Sequence, residues 1–502
     1  LIDEAEIRDQ FAIKKPIIYW LPILLILFLC GLFIHLQKLE LSAEEPRRAT
    51  VALEMIESGE YIVPHLYGIP YYNKPPLHNW LIAGTMQISN SRAEWTVRLP
   101  GILSYLLTGL LLFLAMRRFI DERVAIWSAV LYWFSADLLF YASIFSGELD
   151  LFFSLLIFAN ALCIFNIGNS PNKLIWWLLA YILLAAAVMT KSWIALHFHF
   201  FALIGWMLLR KSFKSFFSLA HLIGLCLFVV LLSAYFVTYN SEGNLKMLLL
   251  NSLVEAGSKV SEDGNGLWTN MLKRWISFPL TFLKITLPAS LLLLLLLKNK
   301  SSALLKKNAF LAFSFLFVVV NIWPYWFFIE LHDRYLYAFV PFVVVICVHI
   351  WSESRHFKKL RRFVIASLYI MAIGRILYNL FVMPALQDGE LSQSYMYRDV
   401  CNQISEITSG QEVNLLYKAK EFPLPEYFFK DTGVERQPYI PYQIPYYLQR
   451  NTGKCPKLVS TTQSGQYYLI DQIELSKYKH LDSLFSFEEQ WHGSTMVLCK
   501  HP

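Results

Sequence analysis

Charge is what this chain has little of: Asp, Glu, Lys and Arg make up 16% of its 502 residues, against about 25% in a typical soluble domain. No low-complexity tract or long-period repeat runs through it. A purely soluble enzyme, a disordered chain and a fibrous one are all excluded. Hydrophobic residues take the space instead, at 56% with a mean hydropathy of +0.43. The formal net charge of +7 would hint at nucleic acid in a soluble protein. Here Lys and Arg sit between apolar blocks, the pattern that orients a membrane protein, and no nucleic-acid partner is expected.

A hydrocarbon core of about 30 Å takes about 20 apolar helical residues to cross. Blocks of that kind lie at 16–37, 98–116, 123–141, 150–168, 174–190, 192–209, 217–239, 277–297, 308–328, 335–352 and 363–384. The first is too long, and too close to an acidic N-terminus, to read as a cleaved signal peptide. About eleven transmembrane helices are predicted over 1–385. Basic residues fall in alternate loops: Arg117, Arg118 and Arg123; Lys173; Arg210, Lys211 and Lys214; Lys298 to Lys307; Arg355 to Arg362. With these loops inside, 38–97, 240–276 and everything after 385 lie outside.

The tail, 386–502, reads as a small outer α/β domain. Met396, Val400, Ile404 and Ile407 recur at helical spacing before Gly410. Short β-like runs follow: VNLLY, KLVST, QYYLI and, after His492-Gly493, STMVLCK. Cys401, Cys455 and Cys499 allow one disulfide with one thiol left over.

The chemistry gathers in the long first outer loop. Pro46 suits a first helical position and Gly59 a helix end. Between them Ala49, Ala52, Met55 and Ile56 make an apolar face, predicting an amphipathic interfacial helix whose start is crowded with Glu44, Glu45, Arg47 and Arg48. A solvated helix end would look the same. Next, Tyr71, Tyr72, Asn73 and Lys74 precede the Pro75-Pro76 pair, which starts a second such helix. An aromatic belt with a snorkelling lysine is the plain alternative. Glu148, Asp150 and Lys191 lie at outer ends of spans, where ionisable groups typically face a polar cavity or one another. His332-Asp333-Arg334 shares that face. Charges of both signs from at least four segments converge, which defines a site hypothesis.

At these residues the chain resembles the GT-C glycosyltransferases of the aminoarabinose-transferase (ArnT-like) and protein O-mannosyltransferase group. The matching stretches are Glu44-Glu45-Pro46-Arg47-Arg48-Ala49, Gly59-Glu60-Tyr61-Ile62-Val63-Pro64-His65, Tyr71-Tyr72-Asn73-Lys74-Pro75-Pro76, Leu149-Asp150 and Met189-Thr190-Lys191. The resemblance implies an α-helical polytopic membrane protein of GT-C fold with a C-terminal α/β periplasmic domain, in a bacterial inner membrane. It also implies transfer of a sugar from a polyprenyl-phosphate donor, with inversion, to lipid A, a protein or a glycan. Glu44 takes the catalytic acidic position, usually Asp in the family, with Glu45 as the alternative. Lys74 takes the donor-phosphate position; Arg47, Tyr71 and Asp150 fall at active-site positions; Arg334-Tyr335 resembles the motif before a late span.

The residue types suit that reaction. A sugar phosphate has a good leaving group, so fixed cations at the phosphate matter more than a strong acid. Lys74 and Arg47 could supply them, with Arg48, Lys191 or Arg334 as further candidates. A carboxylate receives or orients the acceptor proton. Tyr71, Tyr72, Glu148 and Tyr335 complete the substrate-facing set. Two departures bear on metal. ArnT-like enzymes have Glu before the active-site lysine, where this chain has Asn73, and a later Glu-His pair whose best match is Glu255-Ala256. No cofactor, and no zinc in particular, is expected. The competing classes are a transporter or flippase of lipid-linked sugars, whose charges belong near mid-membrane on broken helices, and a non-catalytic scaffold.

Overall fold

The computed structural model describes residues 20–142, 147–169, 173–240, 244–246, 248–250, 267–298, 308–326, 332–387, 397–416, 441–488 and 495–502. Among them, seven helices are long and apolar enough to cross a membrane. They include α4 (Glu94–Phe119), α6 (Asp150–Ile167), α7 (Lys173–Lys191) and α9 (Leu219–Tyr239), with Ala309–Trp326, Asp333–Ser352 and Phe357–Ala385 further on. Two shorter apolar helices, α1 (Trp20–Phe33) and α8 (Ile194–Arg210), belong to the same bundle. The chain is a multi-pass membrane protein.

Two predicted spans are interrupted. The block at 277–297 is an α-helix, Leu267–Ile285, followed by a 3-10 helix, Ala289–Lys298. Pro288 stands between them and has no N–H to continue the ladder. The block at 123–141 is α5 (Glu122–Trp133) and then a π-turn at Leu138–Ala142. The close passage of α4 beside α5 depends on Gly109, where a Cβ would lie 2.1 Å from Trp133 Nε1.

The helix ends sort by charge. Arg210 at the end of α8 donates to Asn169 just past α6 at 2.9 Å. Asn308 donates to the carbonyl of Phe119 at 2.9 Å, and Arg123 lies 5.3 Å from the Phe357 ring. The basic loops therefore gather at one end of the bundle. Asp150 starts α6 and Lys191 closes α7, so both stand at the opposite end.

That second end carries α2 (Glu45–Ser58), a short hairpin of β1 (His65–Leu66) with β2 (Ile69–Pro70), and α3 (Leu77–Ser89). Pro46 sits in the first turn of α2, and Gly59 closes it with φ 73°, a conformation without penalty for glycine. The amphipathic reading of α2 needs correction. Val51, Leu53 and Glu54 are buried along with Ala49, Ala52 and Met55, because α2 lies between the bundle and the C-terminal domain. One core joins Ala49, Ala52 and Leu53 to Ile82, Met86 and Val97 on one side, and to Tyr446 and Leu498 on the other.

The C-terminal region is a five-stranded mixed sheet of order β4-β3-β5-β7-β6. The strands are β3 (Val413–Leu416), β4 (Leu458–Val459), β5 (Tyr467–Asp471), β6 (Asp482–Glu488) and β7 (Thr495–Lys500). β3 runs parallel to β4 and β5; β7 runs antiparallel to β5 and β6. Helices Tyr397–Ile407 and Gln443–Thr452 cover one face. The four predicted strands are present; β6 is an addition, an edge strand whose Phe485 and Phe487 alternate with exposed Ser486 and Glu488 and pack against the core. Gln443–Thr452 was also missed; Pro445 tolerates the first turn of a helix. All three C-terminal cysteines are free thiols, with Cys401 and Cys499 in separate hydrophobic clusters. Met396 and Glu255-Ala256 lie outside the described residues.

Candidate active site

Glu44 is the N-cap residue of α2 but does not cap it. Its carboxylate turns instead to Arg47, one helical turn on, in a close ion pair, and reaches Arg48 at 4.0 Å. Its side chain stays 27% exposed. Glu45 behaves differently. It is 0% exposed and takes a fork of two bonds from Arg98 of α4, Nε to Oε1 and Nη2 to Oε2, both 3.0 Å. The amides of Ser42 and Gly147 complete its shell at 3.2 Å each. A Cβ on Gly147 would come 2.9 Å from Glu45 Cγ, so the approach requires glycine. Arg98 also ties down the carbonyls of Leu36, Leu39 and Glu40. Glu45 is a fully engaged structural carboxylate, and a catalytic assignment to it has no oxygen left to act.

A second cluster forms where α6, α7 and the Asp333–Phe339 turn meet. Asp150 receives Lys191 in a close ion pair through Oδ1, and Arg334 Nε at 3.8 Å through Oδ2. Arg334 Nη1 donates to Glu148 Oε1 at 2.6 Å. Tyr335 lies beneath both cations, 4.5 Å from Lys191 Nζ and 5.8 Å from the Arg334 guanidinium. Burial pushes the Glu148 carboxyl up to about 7, against the pull of Arg334.

Arg48 stands between the two clusters. It is 6% exposed, and its charge is felt by Glu148 and Asp150 as well as by Tyr71. Among the described residues its side chain makes no hydrogen bond, and its Nε is buried without a partner. Burial pulls its pKa below the usual arginine range. A buried guanidinium with an unpartnered Nε has a donor available to an anion.

Arg47 is held between two rings, Tyr71 at 5.7 Å and Tyr442 at 5.4 Å. Tyr72 donates to Asn244 Oδ1 at 2.7 Å. Lys74 is half-buried three residues beyond Tyr71, in the stretch that leads through Pro75-Pro76 into α3. No group of three or more His, Cys, Asp or Glu side chains is placed to hold a metal among the described residues.

Residues 73–236 match the family described as dolichyl-phosphate-mannose-protein mannosyltransferase. In sequence the chain is similar to undecaprenyl phosphate-alpha-4-amino-4-deoxy-L-arabinose arabinosyl transferases. It is 31% identical to that of Proteus mirabilis over 173 residues, 34% of this chain and 31% of that protein. It is 31% identical to that of Enterobacter sp. over 199 residues, 38% and 35% of the two. The chain thus spans about a third of the length of the curated relatives it matches. The shape agrees over far more. ArnT from Cupriavidus metallidurans in the apo state superposes with a TM-score of 0.70 at 13% identity, covering 97% of this chain and 98% of that one. The same protein bound to undecaprenyl phosphate gives 0.72 at 14% identity, over 95% and 98%. The chain has the ArnT-like GT-C fold.

Within this GT-C fold the sequence reading missed three residues. Arg98 looked like one basic residue at the head of an apolar block, and only the packing of α4 against the loop pairs it with Glu45. His78 is fully buried, bonded through Nε2 to the carbonyl of Gly147 at 3.0 Å and held neutral, its pKa pushed down to about 3 by burial. Tyr442 comes from the C-terminal domain, some 370 residues from the loop it joins, and no local pattern marks it.

Proposed function

We propose that the protein is an inverting glycosyltransferase that moves a sugar from a polyprenyl-phosphate donor to an acceptor at the outer face of a bacterial inner membrane. The observation that carries this reading is Arg48, a buried cation without a hydrogen-bond partner among the described residues, set between Glu44 and the Glu148–Asp150 pair. The undecaprenyl phosphate named for the similar ArnT structure supplies the class of donor.

The division of labour follows from the contacts. Lys191 and Arg334 serve Asp150 and Glu148, so they shape the field of the site. Arg48, Arg47 and Lys74 are the cations that meet the donor phosphate. The acceptor oxygen attacks the anomeric carbon from the face opposite the phosphate. The bond from that carbon to the phosphate oxygen breaks, its electron pair staying with the carrier phosphate, where the cations stabilise the growing charge. Glu44, half-buried and the more accessible of the two neighbouring carboxylates, receives the acceptor's proton. Tyr71, Tyr72 and Tyr335 border the path of the sugar. With Asn73 in place of the family's glutamate, the reaction proceeds without zinc.

Placement of the charges disfavours transport. Asp150 is the first residue of its helix and Lys191 the last, whereas a transporter places such groups near mid-membrane on broken helices. The outer location of the C-terminal domain and the choice among lipid A, protein and glycan acceptors belong to the same proposal. The test incubates purified protein with a panel of polyprenyl-phosphate sugars and measures release of the carrier phosphate. Glu44→Ala should bind donor as before and lose turnover. Full turnover by that variant, or no carrier release from any donor, overturns the reading.

A further inference from the structure

A second feature of the site end lies on the other side of the chain segment 36–40. A cavity of about 630 Å³ opens between the end of α1 and the start of α4. Its wall is apolar, built from Phe33, Leu36, Trp95 and Leu99, and its rim is basic, with Lys38 and Arg398. We propose that it binds one anionic glycerophospholipid, at a site distinct from that of sugar transfer.

Three observations select this occupant. First, the lining changes from apolar to cationic at one end of the bundle, where aromatic rings such as Trp95 settle at headgroup level. Secondly, the two cations are not equivalent. Arg398 is engaged by Glu94 at 2.6 Å, and its own amide donates to Glu40 at 2.7 Å. Lys38 has no carboxylate within ion-pair distance among the described residues. Its ammonium is the charge left for a phosphodiester, while Phe33, 44% exposed, and Leu99 offer the surface along which an acyl chain lies. Thirdly, the cavity is walled off from Glu44 and Arg48. The Leu36 and Leu39 carbonyls accept from Arg98, which faces Glu45, while the Gln37 and Lys38 carbonyls lie 3.5 and 3.4 Å from Arg398 Nη2.

The seat is therefore shared by the bundle and the C-terminal domain, which supplies Arg398 from helix Tyr397–Ile407. A lipid held there fixes that domain against the membrane. Free phosphate would leave the apolar wall unused, and a zwitterionic headgroup would bring its own ammonium against the basic rim of Lys38 and Arg398.

The full chain in detergent is titrated with phosphatidylglycerol, phosphatidylcholine, undecaprenyl phosphate or inorganic phosphate, and bound molecules are counted by native mass spectrometry. One phosphatidylglycerol per chain is expected to persist where phosphatidylcholine does not. Lys38→Ala should weaken it about fivefold, the effect of one lysine at an anionic surface. Leu99→Trp, which fills the cavity, should abolish it while leaving Lys38 in place. Equal retention of the two lipids, undiminished retention in both variants, or displacement by inorganic phosphate or undecaprenyl phosphate overturns the proposal. Carrier release is measured alongside: a failed lipid site with intact transfer separates this inference from the proposed function.

Discussion

Glu44 and Glu45 are neighbours in the chain, yet they serve two differently built sets of charges. Glu45 meets Arg98 through a two-bond fork, with backbone amides filling its remaining lone pairs. Glu94 is also multiply engaged, its Oε1 meeting Arg398, Arg450 and the Tyr447 hydroxyl together. Around Glu44 the pairing is uneven: Arg47 holds it closely, while Arg48 sits 4.0 Å away with its Nε unpartnered. Desolvating a charge is expensive unless a partner of good geometry compensates it. Buried charges with complete shells thus hold the loop and the C-terminal domain to the bundle. The incomplete shell is where the proposed reading puts the donor phosphate.

The largest effect should come from breaking a complete shell. Arg98→Ala leaves Glu45 buried and unpaired, a loss of about 3–5 kcal/mol, read as a collapse of thermal stability in detergent. The double variant Glu45→Leu with Arg98→Met removes both charges and should recover most of that loss. If the single variant melts with the parent, Glu45 is not structural. The opposite pattern is expected on the other side of the comparison. Arg48→Ala should lower carrier release by about two to three orders of magnitude, typical of removing one donor aimed at developing charge. It should melt no lower than the parent, because an under-compensated buried cation is lost. A destabilised but active Arg48→Ala would erase the distinction between the two sets.

A pH experiment sharpens the same contrast. Glu54 accepts from the amides of Tyr67 and Gly68 at 2.5 and 2.9 Å, yet burial raises its carboxyl to about 7. The folded state therefore holds this proton more tightly than the unfolded chain. Its contribution is complete below about 4.5 and is lost as pH rises through about 7, up to about 3 kcal/mol in all. Glu54→Gln should flatten the fall in melting temperature between pH 5 and pH 8; an unchanged slope would assign the titration elsewhere. The smallest effect is expected at Tyr442, where a ring over Arg47 is worth about 0.5–1 kcal/mol. Tyr442→Ala should slow carrier release about threefold, and Tyr442→Phe, which keeps the ring over Arg47, should recover most of that.

Much of this was readable in the residues. Apolar blocks near 20 residues long dictate spanning helices, since no other open structure satisfies its backbone in lipid. Pro46, Gly59 and the Pro75-Pro76 pair punctuate the loop, because their backbone preferences act locally. Lys191 and Asp150 stood out as ionisable groups at the ends of apolar runs. Which charge meets which was not readable. Arg98 looks no different from Arg117 or Arg123 in its local sequence, yet it lies buried against Glu45, and Lys191 and Arg334 turned out to face carboxylates of the chain itself.

Helix length, turn geometry and hydrophobic periodicity are thus set by the linear chain, because each depends on neighbours a few residues apart. The burial of Glu45 against Arg98, the burial of α2 on both faces and the arrival of Tyr442 at Arg47 depend on long-range packing. Ion pairs are decided by ångström-scale separations between segments up to several hundred residues apart, and those separations exist only once the bundle and the sheet have closed on the loop.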